Sequence, residues 1–84
     1  MATASIQKLK TFRFVVYLRG VRGITRRLQD RVYEAGCDDA ALVCQNGKVL
    51  LDFDREAASM PDAIQSALTD IERAGLRASE IVLR

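Results

Sequence analysis

The chain has 84 residues, 49% of them hydrophobic, with five glycines and one proline, which favours a small folded domain over a disordered segment. It contains no histidine, and this excludes imidazole-based triads and most zinc and iron sites. The formal net charge is +2, and no run approaches the roughly 18 apolar residues of a membrane span, so we expect a cytoplasmic protein with no membrane contact and no cofactor.

The first predicted elements are a strand and a helix. Residues 12–19 alternate between two faces, with Phe12 and Phe14 on one of them, which is the period of a β-strand. Thr25 then suits the amino-terminal cap of a helix, and Gly36 suits its carboxyl-terminal stop. The residues before the strand, 1–11, are predicted to be a flexible arm.

A hairpin is predicted next. Asn46-Gly47 is the strongest short signal for a two-residue turn, and it separates predicted strands at 40–45 and 48–54. With these two residues in the loop, paired positions sum to 93. Asp39 then faces Asp54, and like charges in that arrangement destabilise a sheet unless a cation lies nearby.

The last elements complete a β-α-β-β-α-β order. Ser59 suits the cap of a second helix that ends at Gly75, and 79–84 reads as a final strand. In a chain of this size the order predicts a single ferredoxin-like domain over 12–84. Its four-stranded antiparallel sheet would carry both helices on one face.

The opposite face of that sheet is the predicted protein interface. Strand parity places an apolar strip in the middle of that face, with charged residues at its rim. The strip consists of Val15, Tyr17, Val43, Leu50 and Val82. Such a strip suggests a homodimer or a complex with another protein. The predicted partner-binding residues are Arg13, Val15, Tyr17, Arg19, Asp39, Val43, Leu50, Asp52 and Asp54.

Two acidic blocks, 34–40 and 52–57, flank the hairpin. Their carboxylates could hold a hard cation such as magnesium or calcium. Neither block has the spacing of a known metal loop, so we favour neutralisation by Arg55 or by an arginine of the amino-terminal half. We therefore predict no metal site.

The two cysteines, Cys37 and Cys44, lie seven residues apart, which matches no zinc motif. Cys44 falls on the apolar side of its strand. We expect both to be structural residues of the core.

Charge is distributed unevenly along the chain. Residues 1–36 carry eight basic and two acidic side chains, whereas 37–84 carry five basic and nine acidic ones. The stretch 19–27, Arg-Gly-Val-Arg-Gly-Ile-Thr-Arg-Arg, lies at the first strand–helix junction, where glycines and a helix amino terminus favour an anion. The predicted anion-binding residues are Arg22, Arg26, Arg27 and Arg31.

Nucleic-acid binding through these arginines is an alternative that the residues leave open but do not favour. RNA-recognition domains of the same topology stack bases on aromatic residues of their central strands. Tyr17 is suitably placed for stacking, but the third strand offers Lys48, Leu50 and Asp52 on the same face. The second aromatic is therefore missing.

The 19–27 stretch also resembles the signature loop of acylphosphatases, in which a loop and an arginine hold a phosphate. Aligning Val21, Gly23 and Ile24 places Arg27 at the position of the catalytic arginine. Arg22 stands in place of a glutamine, Arg26 in place of an aromatic residue, and Val43 in place of the asparagine that positions water. Because that asparagine is missing, we expect a protein without enzymatic activity, and an acylphosphatase-like hydrolase lacking the usual asparagine is a second alternative.

Most of the chain resembles the amino-terminal domain of a group of small bacterial helix-turn-helix regulators. The residues that carry the resemblance are 33–40 (Tyr-Glu-Ala-Gly-Cys-Asp-Asp-Ala), 51–57 (Leu-Asp-Phe-Asp-Arg-Glu-Ala) and 63–75. The resemblance implies a regulatory or oligomerising module. The helix-turn-helix would follow residue 84, so we expect a free-standing interaction protein: an antitoxin, a partner of a related regulator, or a phage or mobile-element inhibitor of a host protein.

Overall fold

The computed structural model describes residues 9–84 and confirms the predicted order of elements. Residues 1–8 of the predicted arm lie outside the described residues, and the first strand begins within the predicted arm, at residue 10. The elements are β1 (Lys10–Leu18), α1 (Arg26–Glu34), β2 (Ala40–Gln45), β3 (Lys48–Ala57), α2 (Met60–Arg73) and β4 (Ala78–Leu83).

The strands form one antiparallel sheet in the order β2-β3-β1-β4, which is the predicted ferredoxin-like arrangement. The hairpin has the predicted register, with Gln45 opposite Lys48 and Val43 opposite Leu50. Asn46 and Gly47 both have positive φ, at 53° and 76°. Only Gly and a few polar residues adopt this conformation readily, which explains why the turn falls at these two residues.

Both helices begin at the predicted caps. The Thr25 hydroxyl accepts a hydrogen bond from the Leu28 N–H at 3.1 Å, and the Ser59 hydroxyl accepts one from the Asp62 N–H at 3.2 Å. Each bond satisfies an amide that has no partner within its own helix. The helices therefore start where their sequences allow the first turn to close.

The core lies between the helices and one face of the sheet. Phe14 of β1 and Phe53 of β3 stack at its centre, with ring centroids 5.1 Å apart. Ala67 and Ile71 of α2 are fully buried against this layer. Small and large side chains therefore alternate across the helix–sheet contact, which allows close packing.

The two cysteines differ from each other. Cys37 is buried in the core, as expected, but Cys44 is exposed, so its prediction as a core residue is wrong. Cys44 is exposed because β2 is an edge strand, so no neighbouring strand covers one side of its residues.

Within the described residues, no helix is long and apolar enough to cross a membrane.

Candidate functional site

Two connections of the chain meet at one end of the sheet. Because β1 and β4 are neighbours, the β1–α1 loop lies beside the α2–β4 turn. The Arg19 N–H donates to the Arg77 carbonyl at 2.8 Å and ties the two connections together. Residues nearly 60 positions apart thus form one surface.

This surface contains a cleft of about 590 Å³, hereafter the arginine cleft. Its volume lies within the range of small-molecule sites. Apolar side chains of Val21, Leu28 and Leu76 contribute to its lining, and none of the lining residues described is acidic. The cations that line it are Arg19, Arg22, Arg27, Arg31 and Arg77.

Arg31 is held at the junction of the two helices. Its Nη2 donates to the carbonyl of Ala74, the residue that caps the carboxyl terminus of α2. Gly75 lies directly beneath this guanidinium, and a Cβ at that position would lie 2.5 Å from Arg31 Nη2. The partial negative charge of the helix terminus and the missing side chain at Gly75 therefore position Arg31.

The amino terminus of α1 adds further positive potential. Its first turn contains Arg26 and Arg27 and no acidic residue, whereas the first turn of α2 contains Asp62. Basic side chains at this position oppose the helix dipole instead of compensating it. The arrangement weakens α1 unless an anion occupies this end of the helix.

Arg55 pairs with Asp39 of the first acidic block, as predicted. The Arg55 guanidinium, 8% exposed, binds both carboxylate oxygens of Asp39, at 2.8 and 2.9 Å, and lies 3.0 Å from Asp70 Oδ2. It also donates to the Gly36 carbonyl at 2.8 Å and to the Ser66 hydroxyl at 3.1 Å. Hydrogen bonding to Asp39 raises the pKa of Arg55 above its usual range.

This network corrects the prediction for Asp39. Strand parity placed Asp39 at the rim of the open face, but its carboxylate binds Arg55. Arg55 lies two residues after Phe53 on β3, and both side chains are on the helix side of the sheet. The partners from α2, Asp70 and Ser66, hold the guanidinium on that side. Asp39 therefore joins β2 to the helical layer and is not available to a partner at the open face.

Two further arginine–aspartate pairs lie on the open face. Arg13 and Asp54, both 60% exposed, are 2.9 Å apart, and Arg84 Nη2 lies 3.7 Å from Asp52 Oδ2. Since β1 lies between β3 and β4, the second pair spans the central strand. Within the part of the chain that the structure describes, no group of acidic side chains or cysteines is arranged to hold a metal ion.

The predicted apolar strip on the open face is largely covered. Val15 and Leu50 are only 4% and 3% exposed, so these two predicted partner-binding residues offer almost no surface to a partner, contrary to the prediction. The Asp52–Arg84 pair crosses the face at Val15, which lies between Asp52 and Val82 in the sheet. Leu50 lies between Tyr17 and Val43 in the same way, and these neighbours exclude water from it.

What remains exposed on that face is narrower than predicted. Tyr17 and Val43 are half-buried, and Val82 is 40% exposed. The Lys48 ammonium lies 5.9 Å from the centre of the Tyr17 ring, which covers part of the one aromatic there. The open face is therefore a mixed surface whose charges are mostly paired with one another.

The predicted anion-binding arginines separate into two groups. Arg22, Arg27 and Arg31 line the arginine cleft, whereas Arg26 lies outside its lining. Arg19, predicted at the open face, lines the cleft because β1 ends at Leu18 and the strand alternation stops there. It also borders a smaller pocket beside Tyr17 and Lys48.

Sequence reasoning missed Arg77 altogether. The signal that could have found it is the topology, since a ferredoxin-like order places the α2–β4 turn beside the β1–α1 loop. Val43 lies on β2, outside the cleft lining. It is the residue that aligns with the water-positioning asparagine of acylphosphatases.

No family model, curated protein sequence or solved structure matches this chain. The fold and the site define it as a small ferredoxin-like domain with an arginine-lined cleft at one end of its sheet.

Proposed function

We propose that this protein is a small non-enzymatic binding module that recognises an anionic partner through the arginine cleft. The observation that carries the proposal is the convergence of five arginines on one concave surface whose described lining includes no carboxylate. Within residues 9–84 none of the five forms an ion pair, whereas Arg13, Arg55 and Arg84 all do. Like charges gathered in this way repel one another, and a bound anion would relieve that cost.

The lining chemistry favours binding over catalysis. Among the described lining residues Thr25 alone has a hydroxyl side chain, and its oxygen already accepts the Leu28 N–H. The other described lining residues are arginine, glycine or aliphatic, and an arginine stays protonated at neutral pH. The cleft thus offers charge and hydrogen-bond donors but no general base or nucleophile.

A small polyanion tests the proposal directly. We expect inorganic tripolyphosphate to bind in isothermal titration calorimetry and to raise the thermal midpoint of the wild-type protein. Arg22→Gln/Arg27→Gln should abolish both effects. The control variant Lys10→Gln/Arg84→Gln removes the same charge from the opposite end of β1 and β4. It should leave the affinity within about twofold of the wild type, because salt screens the electrostatic effect of a charge on a site more than ~10 Å away.

The outcomes separate a site from general attraction. Equal weakening in the two double variants would show that net charge alone attracts the probe. Undiminished binding in Arg22→Gln/Arg27→Gln would place the anion elsewhere, and both results contradict the proposal.

The open face remains a second candidate, as a contact with a protein partner or a second copy. The observation that favours it is the exposed Val82 beside Tyr17 and Val43. Val82→Asp should then lower the mass measured by light scattering or abolish capture of the partner. The buried Leu50 is unsuitable for this test, since a charge there would destabilise the fold.

In either role we place the protein in the cytoplasm, because both cysteines are free thiols.

A further inference from the structure

We propose that the anionic partner of the arginine cleft is a double-stranded nucleic acid, held by its phosphate backbone without preference for base sequence. This inference rests on the proposed function and names its ligand. It is carried by the distribution of charge between the two ends of the domain and by the kind of side chain in the cleft.

The charge of the domain is divided along the strands. The end that contains the cleft, residues 19–27, 31, 45–48 and 72–80, carries eight basic and two acidic side chains. The other described residues carry four basic and nine acidic ones. A polyanion is therefore attracted to one end and repelled by the rest, which orients the protein end-on against an extended phosphate backbone.

The cations in the described lining of the cleft are all arginine. The planar guanidinium presents a fork of donors that matches phosphate oxygens, whereas lysine offers a point charge. Backbone amides at the start of α1 can add donors to the same group of oxygens. Several forks on one surface suit a ligand with repeated anionic groups better than one with a single carboxylate.

The same lining explains why base sequence would not be read. The described lining residues include no aromatic side chain on which an unpaired base could stack. They also include no asparagine or glutamine to read an adenine edge. Val21, Leu28 and Leu76 contribute apolar surface, which suits the sugar portion of a backbone. Contacts of this kind position a protein on a duplex without specifying a site.

Fluorescence anisotropy with two labelled 16-base-pair duplexes of unrelated sequence tests the inference. We expect equal affinities within about twofold, and a slope of log K against log salt of about −4 for four to five phosphates. Arg22→Gln/Arg27→Gln should reduce the magnitude of the slope by about 2 and weaken binding at least about tenfold. Lys10→Gln/Arg84→Gln should leave the slope unchanged.

Three results would overturn the inference. A preference above about tenfold for one duplex would indicate base readout. Equal competition by polyglutamate of the same charge would indicate an acidic protein partner. Failure to bind either duplex, while tripolyphosphate still binds in an Arg27-dependent manner, would remove the nucleic acid and leave the proposed function standing.

Discussion

The Arg55 guanidinium donates two parallel hydrogen bonds to the Asp39 carboxylate, from Nε to Oδ2 at 2.8 Å and from Nη2 to Oδ1 at 2.9 Å. The same guanidinium reaches Asp70 and Ser66 of α2 and the Gly36 carbonyl. One side chain thus joins β3, the start of β2 and the second helix. The relationship gives Asp39 a cationic partner, which relieves the like-charge pairing with Asp54 across the hairpin.

We predict that Arg55→Lys lowers the free energy of unfolding by about 2–3 kcal/mol, because an ammonium cannot reproduce the two-pronged geometry and leaves charged acceptors unsatisfied. Urea denaturation measures the change. Arg13→Lys is the matched control, since Arg13 makes a single bond to Asp54 at a site where both side chains are 60% exposed. It should cost less than about 1 kcal/mol. Equal costs for the two variants would contradict a structural role for the Arg55 network.

The Cys37 thiol makes stability depend on pH in the alkaline range. Burial raises its pKa from 9.0 to about 11, with the Asp70 charge adding to the effect. Between these values the unfolded chain loses the thiol proton while the folded protein keeps it. The contribution is therefore fully present below pH 9 and is lost as the pH rises through 11, by about 2–3 kcal/mol in total.

We expect Cys37→Ala to remove this part of the decline in unfolding free energy between pH 8 and pH 10.5, measured by urea titration at each pH. Cys44→Ala changes an exposed thiol and should retain the wild-type profile. Parallel profiles for the wild type and Cys37→Ala would show that Cys37 does not titrate with a raised pKa.

The two thiols should also differ in reactivity. We predict that Cys44 reacts with a thiol reagent such as dithionitrobenzoate in the folded protein at pH 8, whereas Cys37 reacts only after unfolding. Burial denies the reagent access to Cys37 and keeps its thiol protonated. The measurement is the number of thiols that react before and after addition of denaturant, and two rapid thiols in the folded protein would contradict the burial of Cys37.

Gly75 links the fold to the cleft. Gly75 and Gly47 have nearly the same positive φ, 79° and 76°, but only Gly75 lies against the Arg31 guanidinium. Gly75→Ala and Gly47→Ala should each cost about 1–2 kcal/mol in unfolding free energy for the left-handed backbone. Gly75→Ala should in addition displace Arg31 and weaken tripolyphosphate binding in calorimetry. Equal binding by the two variants would show that the position of Arg31 does not matter to the site.

Local patterns predicted the fold well. Thr25 and Ser59 each cap a helix by a hydrogen bond to an amide three residues later. Asn46-Gly47 forms a two-residue turn. Each of these signals therefore acts over a short stretch of chain. The hairpin register follows from that turn alone.

Side-chain environments were harder to predict, because they depend on residues far apart in the sequence. Asp39 turns to the helix side because Arg55 is held there by Asp70. Val15 is buried on the open face, where it lies between Asp52 and Val82 and beside the Asp52–Arg84 pair. Strand parity assigns a face to each residue, but it does not say which long side chains will cover that face.

The most direct test of an anion-binding cleft is a ¹⁵N–¹H NMR titration of the wild-type protein with tripolyphosphate at low salt. We predict saturable shifts of the amides at residues 19–28 and 74–77, which belong to the two connections that form the cleft. Amides at the other end of the sheet, such as those of Thr11 and Glu56, should remain in place. Shifts centred on the open face, or no saturable shifts at all, would contradict the assignment of the arginine cleft as the binding site.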